Sequence, residues 1–183
     1  MKRLAPLLAV AFLVACGGGS KSEPAGTTTT TAGPDPAAAM RALITSQPKL
    51  AGTVQTLFQG SSWAVVQSTA GGKASAVAFS LVNGKWQADQ SGKVKIDILG
   101  PQPGAHAPLL PQIAIEITAP KAFVESGLWL DGKELFEKGG GSSTRGTVYG
   151  APAKEIKPGR HVAVGYARTA TTGTAVAWVF NVG

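Results

Sequence analysis

The sequence predicts a mainly β protein, in which a short helix and a small antiparallel meander precede a β-sandwich. Apolar and polar residues alternate with a period of two over much of the chain, and turn signals recur roughly every 8–15 residues. One segment alone carries helix signals at both of its ends. Because the chain has a single cysteine, the fold cannot use an intrachain disulfide and depends on its hydrophobic core.

The helix signals come directly after residue 34. Asp35 suits the N-cap because its carboxylate accepts hydrogen bonds from free N–H groups, and Pro36 suits the first helical position. Residues 37–44 are mostly helix formers, and Pro48 ends the segment. Elsewhere, residues 134–138 are expected to form at most one or two helical turns.

Three or four antiparallel strands are predicted between this helix and residue 92. The first covers residues 53–58, and the second starts at Trp63. Two-residue turns that tolerate positive φ then mark the hairpins, Gly71-Gly72 and Asn83-Gly84. Residues 35–92 are therefore predicted to form a small α+β domain. This length is near the lower limit for a self-sufficient core, so we expect the domain to pack on the C-terminal half of the chain.

A second domain, the sandwich, is predicted over residues 93–183. Ile113, Ile115 and Ile117 alternate with small or polar residues, as in a half-buried strand. Further strands are predicted around residues 94–98, 128–130, 147–149, 161–166 and 174–182. A loop rich in Pro and Gly at 100–111, the turn Asp131-Gly132 and a flexible loop at 139–143 separate them. About seven strands at this spacing are typical of an antiparallel sandwich.

Four segments in this half of the chain combine apolar, aromatic and turn residues: Trp129-Leu130-Asp131-Gly132-Lys133, Tyr149, Ile156-Lys157-Pro158-Gly159-Arg160-His161-Val162 and Ala177-Trp178-Val179-Phe180-Asn181-Val182. Together they resemble bacterial immunoglobulin-like or fibronectin type III-like modules. The resemblance implies a sandwich of two antiparallel sheets and roles in spacing, adhesion or presentation. The family pattern has His or Tyr where His161 stands, which implies a ring packed at the sheet corner with a hydrogen bond to the backbone.

The first fifteen residues predict an export signal. Lys2 and Arg3 precede an uncharged, mostly apolar stretch that is shorter than the roughly 20 residues a membrane-spanning helix needs. Leu13-Val14-Ala15-Cys16 resembles the bacterial lipobox. That resemblance implies a diacylglyceryl group on the sulfur of Cys16 and cleavage between Ala15 and Cys16. The alternative is an ordinary secretory signal, in which the cysteine is incidental.

Residues 16–34 are predicted to be the lipidated cysteine and a flexible tether. The segment after Cys16 has no large apolar residue, and its Gly and Ser content gives a typical reach of about 25 Å. The run Thr27 to Thr31 could be glycosylated or simply polar. The predicted partner at this end of the chain is a membrane, bound through the lipid on Cys16.

Charge argues against nucleic acid as a partner. The formal net charge is +7, and it falls to +5 once Lys2 and Arg3 leave with the leader. No compact run of Lys or Arg exists, whereas nucleic-acid binding needs a clustered patch. A mild positive charge instead favours anionic lipids or wall polymers, or it simply belongs to a solvated surface.

No catalytic constellation, metal site or cofactor site is predicted. His106 lies in a loop, and two imidazoles without Cys or a suitably spaced carboxylate make a weak metal site. Asp131 is explained by its turn. Four tryptophans could form a platform for glycans but are more typical of a core at strand positions: Trp63, Trp86, Trp129 and Trp178.

The expected function is therefore that of a non-enzymatic lipoprotein on the extracytoplasmic face of a cell membrane. Its β-rich body would bind or position an envelope or extracellular partner, such as a protein or a glycan. The alternative is a glycan- or metal-binding envelope protein, which could assist a wall enzyme. A third possibility is a structural spacer for another envelope protein, which the sequence does not separate from the first.

Overall fold

The computed structural model describes residues 33–47, 50, 52–139 and 143–183, and these form a mainly β fold, as predicted. There is one α-helix, α1, at Pro36–Ser46. The strands are β1 Thr53–Gln59, β2 Trp63–Ala70, β3 Lys73–Val82, β4 Lys85–Ala88, β5 Lys95–Gly100, β6 His106–Ala107, β7 Ile113–Thr118, β8 Glu125–Leu130, β9 Lys133–Gly139, β10 Arg145–Gly150, β11 Gly159–Arg168 and β12 Gly173–Val182. The predicted flexible loop at 139–143 falls largely outside the described residues.

The first four strands form an antiparallel meander in the order β1-β2-β3-β4. Both predicted hairpin turns are present, and all four of their residues have positive φ, between 50° and 78°. Gly and Asn adopt this region at little cost, so the turns fix the register of the strands that they join. A register shift between Thr56 and Phe58 interrupts the pairing of β1 with β2.

The remaining strands form a sandwich of two sheets. One has the order β10-β7-β5 and the other the order β6-β12-β11-β8-β9. The pairs are antiparallel except that β6 runs parallel to β12. From β5 to β8 the chain changes sheet at every connection, and it changes again between β9 and β10 and between β10 and β11. The antiparallel sandwich is thus as predicted, while membership of the immunoglobulin-like family stays a prediction.

The expectation of a helical turn at residues 134–138 is wrong, because these residues belong to strand β9. Asp131 and Gly132 form a hairpin turn, with φ of 50° and 78°. The turn returns the chain along β8, and β9 pairs with it from Lys133 to Gly139. Pairing with β8 therefore overrides the modest helix propensity of Glu, Leu and Lys.

Three hydrophobic clusters show that the elements stack in four layers. Met40 of α1 packs against Ala64, Val66 and Phe79 of the meander. The opposite face of the meander packs on the five-stranded sheet through residues such as Trp63, Val65, Trp129, Val164 and Tyr166. The third cluster fills the sandwich itself, with Ile113, Ile115, Ile117, Leu128, Phe180 and Val182 among its members. Strands β2 and β11 are therefore covered on both faces.

Residues 32–183 form one compact unit. The predicted boundary at 92/93 lies between β4 and β5, and the segments on either side of it share the second cluster. The expected packing of the N-terminal segment on the sandwich is therefore present. The division into two domains, 35–92 and 93–183, stays a prediction.

The helix begins as predicted. The Asp35 carboxylate accepts a hydrogen bond from the Ala37 N–H at 2.9 Å, and Pro36 is the first helical residue. The indole N–H of Trp86 donates to the Pro34 carbonyl at 2.5 Å, which attaches the start of the described chain to the meander. In the described part of the chain, no helix has the length and apolarity needed to cross a membrane.

Candidate functional site

The corner where β8 turns into β9 brings together two residues that the sequence singled out, Asp131 and His161. Asp131 Oδ2 lies 2.6 Å from His161 Nδ1, and Asp131 Oδ1 accepts a hydrogen bond from the Val162 N–H at 2.9 Å. The other ring nitrogen of His161, Nε2, lies 2.8 Å from the Lys157 carbonyl oxygen. The backbone hydrogen bond expected for His161 is therefore present, and the ring packs beside Phe180.

This geometry favours the doubly protonated form of His161. Both ring nitrogens face groups that only accept hydrogen bonds, so both need a proton to bond. Burial is the largest influence on the pKa of His161 and lowers it, but the hydrogen bonds to Asp131 and to the Lys157 carbonyl leave the pKa raised overall. With both nitrogens occupied, the ring ties the β8–β9 turn to the start of β11 and has no free nitrogen to act as a base.

A cleft of about 290 Å³ opens beside this corner. Its walls come from the β8–β9 hairpin and from the segment that leads from β10 to β11. Apolar residues (Leu130, Leu135, Ile156) alternate in the lining with charged ones (Asp131, Glu134, Lys154).

The two histidines do not come together. His106 lies opposite Asn181 on β12, whereas His161 lies opposite Phe180. Neighbouring residues of a strand point to opposite faces, so the two imidazoles lie on different sides of the sheet. Within the residues that the structure describes, no group of three His, Cys, Asp or Glu side chains is arranged to hold a metal.

All four tryptophans are buried, with exposures of 2–9%. Trp63 and Trp129 lie between the meander and the five-stranded sheet, Trp86 lies under α1, and Trp178 lies in the sandwich core. The interpretation of these residues as core is confirmed. They offer no exposed platform on which a sugar ring could stack.

A second polar cluster lies at the opposite end of β8. Arg168 Nε donates to Glu125 Oε2 at 2.5 Å, and the Tyr166 hydroxyl donates to the same oxygen at 3.2 Å. The guanidinium of Arg168 also lies 5.7 Å from the centre of the Trp63 ring. Burial, followed by the charge of Glu125, raises the pKa of Tyr166, so its hydroxyl stays protonated as a donor. The cluster joins the meander to the sheet beneath it.

The three-stranded sheet has two exposed apolar side chains beside charged ones. Tyr149 of β10, which pairs with Ala114 of β7, is 62% exposed, and Leu99, at the register shift of β5, is 50% exposed. On the same face as Tyr149, Arg145 binds both oxygens of the Glu116 carboxylate, at 3.0 and 2.9 Å. This hydrogen-bonded pairing lowers the pKa of Glu116 and raises that of Arg145.

The predicted lipidation and cleavage residues, Cys16 and Ala15, lie outside the described residues. Sequence reasoning placed His161 at the sheet corner but did not pair it with Asp131, because 30 residues separate them in the chain. It also did not mark Tyr149 as exposed, because alternation along a strand does not tell which face is covered.

Comparison with known proteins assigns no family. No protein-family model matches the chain, and neither does a curated protein sequence. Among solved structures, a lytic polysaccharide monooxygenase from Jonesia denitrificans matches with a TM-score of 0.31 and 16% sequence identity. The match covers 45% of this chain and 58% of that chain. A likeness this weak assigns neither a family nor an activity.

Proposed function

We propose that this chain is a lipid-anchored protein of the extracytoplasmic face, whose β-rich body binds or positions an envelope partner without catalysing a reaction. The observation that carries the proposal is Leu13-Val14-Ala15-Cys16 at the end of a short leader that is first basic and then apolar. The Cys16 thiolate is the nucleophile that such a modification needs. Two long acyl chains on this residue would suffice for stable anchoring.

The junction between the proposed tether and the body supports this function. The hydrogen bond from Trp86 to the Pro34 carbonyl and the N-cap at Asp35 hold the chain at the point where it enters the body. A polar segment without large apolar residues comes immediately before that point. A lipid at Cys16 would therefore be joined to a firmly held attachment point through a spacer of about 25 Å.

The order of the layers leaves a surface free for a partner. The tether joins the body beside α1. The meander and the five-stranded sheet lie between α1 and the three-stranded sheet, whose outer face is on the far side of the body. With packed layers about 10 Å apart, that face lies on the order of 30 Å from the helix. Tyr149 and Leu99 are exposed there. An envelope partner could reach this face while the anchor is engaged.

Metabolic labelling with radioactive palmitate tests the anchor. The unsubstituted protein and a Ser20→Ala control, which changes a small polar residue near the cysteine, should both acquire the label. A Cys16→Ser variant should acquire none, because the sulfur is the acceptor of the lipid. Label on the Cys16→Ser variant, or none on the unsubstituted protein, would contradict the proposal.

Sedimentation with isolated envelope tests the role of the body. The purified full chain with Cys16→Ser, which has no acceptor for the lipid, should be retained in the pellet above an unrelated β-sandwich protein of similar charge. Retention equal to that of the unrelated protein would remove the binding role while leaving the anchor intact.

A further inference from the structure

A groove of about 440 Å³ lies at the rim between the meander and the five-stranded sheet. We call it the rim groove. Three separate parts of the chain line it: the β2–β3 turn with the start of β3, the loop before β6, and the paired strands β11 and β12. The lining residues that matter below are Lys73, Ser75, Gly104, Arg160 and Asn181.

The rim groove carries positive charge without compensation. Lys73 and Arg160 are both exposed, and none of the residues that line the groove is acidic. The other arginines with described side chains, Arg41, Arg145 and Arg168, each bind a carboxylate. Within the described part of the chain, Arg160 alone among the arginines has no carboxylate partner. Two cations from different strands therefore face one concave surface with no anion between them.

The Arg160 side chain lies against the turn that precedes Lys73. Its guanidinium lies against Gly72 so closely that a Cβ at that position would overlap the Nη1 atom. Gly72 has a φ of 78° and belongs to the β2–β3 turn, which Lys73 follows directly. The side chain of Arg160 thus reaches from β11 across to the meander. Opposite it, the Asn181 side-chain amide lies 3.5 Å from the Gly104 carbonyl and adds a polar wall.

We propose that the rim groove binds a phosphate group carried by an envelope glycerophosphate. A guanidinium presents paired N–H donors that match two phosphate oxygens, and a nearby ammonium adds a compact point charge. The phosphate could belong to a lipid headgroup or to a soluble glycerophosphate unit. This proposal goes beyond the function proposed above, because the rim groove is a different surface from the outer face of the three-stranded sheet. It rests on that function for the ligand's location in the envelope, but neither Lys73 nor Arg160 depends on the lipid at Cys16.

Titration of the isotopically labelled full chain in neutral detergent micelles, followed by NMR, tests the groove. One arm adds soluble glycerophosphoglycerol, and the other dopes the micelles with phosphatidylglycerol, with phosphatidylcholine as the neutral reference. We expect saturable shifts of the Lys73, Arg160 and Asn181 amides that weaken as salt is added, because both cations are solvent-exposed. Lys73→Gln and Arg160→Gln should each weaken binding about tenfold.

Lys85→Gln is the matched control. Lys85 follows the Asn83-Gly84 turn as Lys73 follows Gly71-Gly72, and it is also exposed but does not line the groove. It should bind like the unsubstituted chain, while Arg160→Lys should fall between the unsubstituted chain and Arg160→Gln because it keeps the charge and loses the paired donors.

The two arms identify the source of the phosphate. Shifts with the soluble probe alone assign a soluble unit, and shifts with the doped micelles alone assign a lipid headgroup. No saturable shift in either arm, or an equal loss in Lys85→Gln, overturns the proposal. Palmitate labelling of Cys16 is read separately, so failure of the groove is distinguishable from failure of the anchor.

Discussion

Asp131 has two structural roles: its backbone forms part of a turn, and its carboxylate binds residues of the neighbouring strand β11. Its backbone takes a φ of 50° in the β8–β9 hairpin, while its two carboxylate oxygens bond the ring of His161 and the N–H of Val162. Asp tolerates this region of φ better than most residues, so the turn and the ion pair favour the same amino acid. The sequence predicted the turn correctly, and the second role arises only from the position of β11 beside β8.

The His161–Asp131 pair should make stability depend on pH. The pKa of His161 is raised in the folded chain, so the stabilisation is complete below the unfolded value of about 6.5 and is lost as pH rises through the folded value. We expect the free energy of unfolding to fall by up to about 1 kcal/mol between pH 6 and 8.5, a modest value because Asp131 is partly exposed. Urea unfolding followed by tryptophan fluorescence measures it.

Asp131→Asn should flatten this pH dependence, because the amide carries no charge to favour the protonated imidazole. Asp97→Asn on β5 is the control, since Asp97 is an exposed Asp without a hydrogen bond to His161. An unchanged slope in Asp131→Asn would show that the pair does not hold His161 in its protonated form.

Glu125 should matter more for stability than Glu116. The Glu125–Arg168 side chains are only 16% and 22% exposed, so Glu125→Gln leaves a partly buried guanidinium without its counter-charge. We expect a loss of about 2 kcal/mol in the free energy of unfolding, measured with urea. Glu116→Gln, which breaks the more exposed pair with Arg145, should cause no resolvable change. Equal effects of the two substitutions would contradict the structural role given to Glu125.

Strand positions were predictable where turn chemistry and alternation agreed. The turns at Gly71-Gly72, Asn83-Gly84 and Asp131-Gly132 all have the positive φ that their residues favour. By contrast, β9 was missed because Glu134, Leu135 and Lys138 favour a helix locally, and only pairing with β8 makes them a strand. The helix propensity of a segment does not reflect the neighbouring strand with which a turn will pair it.

Besides the packing of Met40, the hydrogen bond from Trp86 to the Pro34 carbonyl holds the start of α1 to the meander. Trp86→Phe keeps the aromatic packing but removes the hydrogen bond to the Pro34 carbonyl, so the start of the helix should open more easily. We expect amide hydrogen exchange in α1 to speed up by roughly tenfold, which corresponds to about 1.4 kcal/mol of local stability.

Trp178→Phe is the comparison for this substitution, because it removes the equivalent indole hydrogen bond, to the Pro101 carbonyl, in the sandwich core. It should leave exchange in α1 unchanged. Faster exchange in α1 with Trp178→Phe alone would mean that the helix is not held through Trp86.

The stacked layers predict that the described body unfolds as one unit. Val164 is fully buried between the meander and the five-stranded sheet, with Trp63 and Tyr166 in the same cluster. Val164→Ala should lower the free energy of unfolding by about 2 kcal/mol through a cavity at this contact. Amide exchange of β3 and of β7, on either side of it, should report the same midpoint in denaturant. Separate midpoints would instead mean that the meander and the sandwich unfold independently, and would contradict the single unit.

The order of the layers could not be predicted from the sequence, although the strands that are buried on both faces could. Strands β2 and β11 have nearly continuous apolar runs, which indicate burial on both faces without naming the covering elements. The covering layers come from segments far apart in the chain, so no local pattern records them. The rim groove was missed for the same reason, since Lys73 and Arg160 meet only when the meander lies on β12.

Anchoring through Cys16 is the property on which the proposed function depends most. Mass spectrometry of the N-terminal peptide of protein from native membranes measures it directly. We predict a chain that begins at Cys16 and carries the added mass of a diacylglyceryl group. A peptide that retains Met1, or one that contains Cys16 with a free thiol, would contradict it.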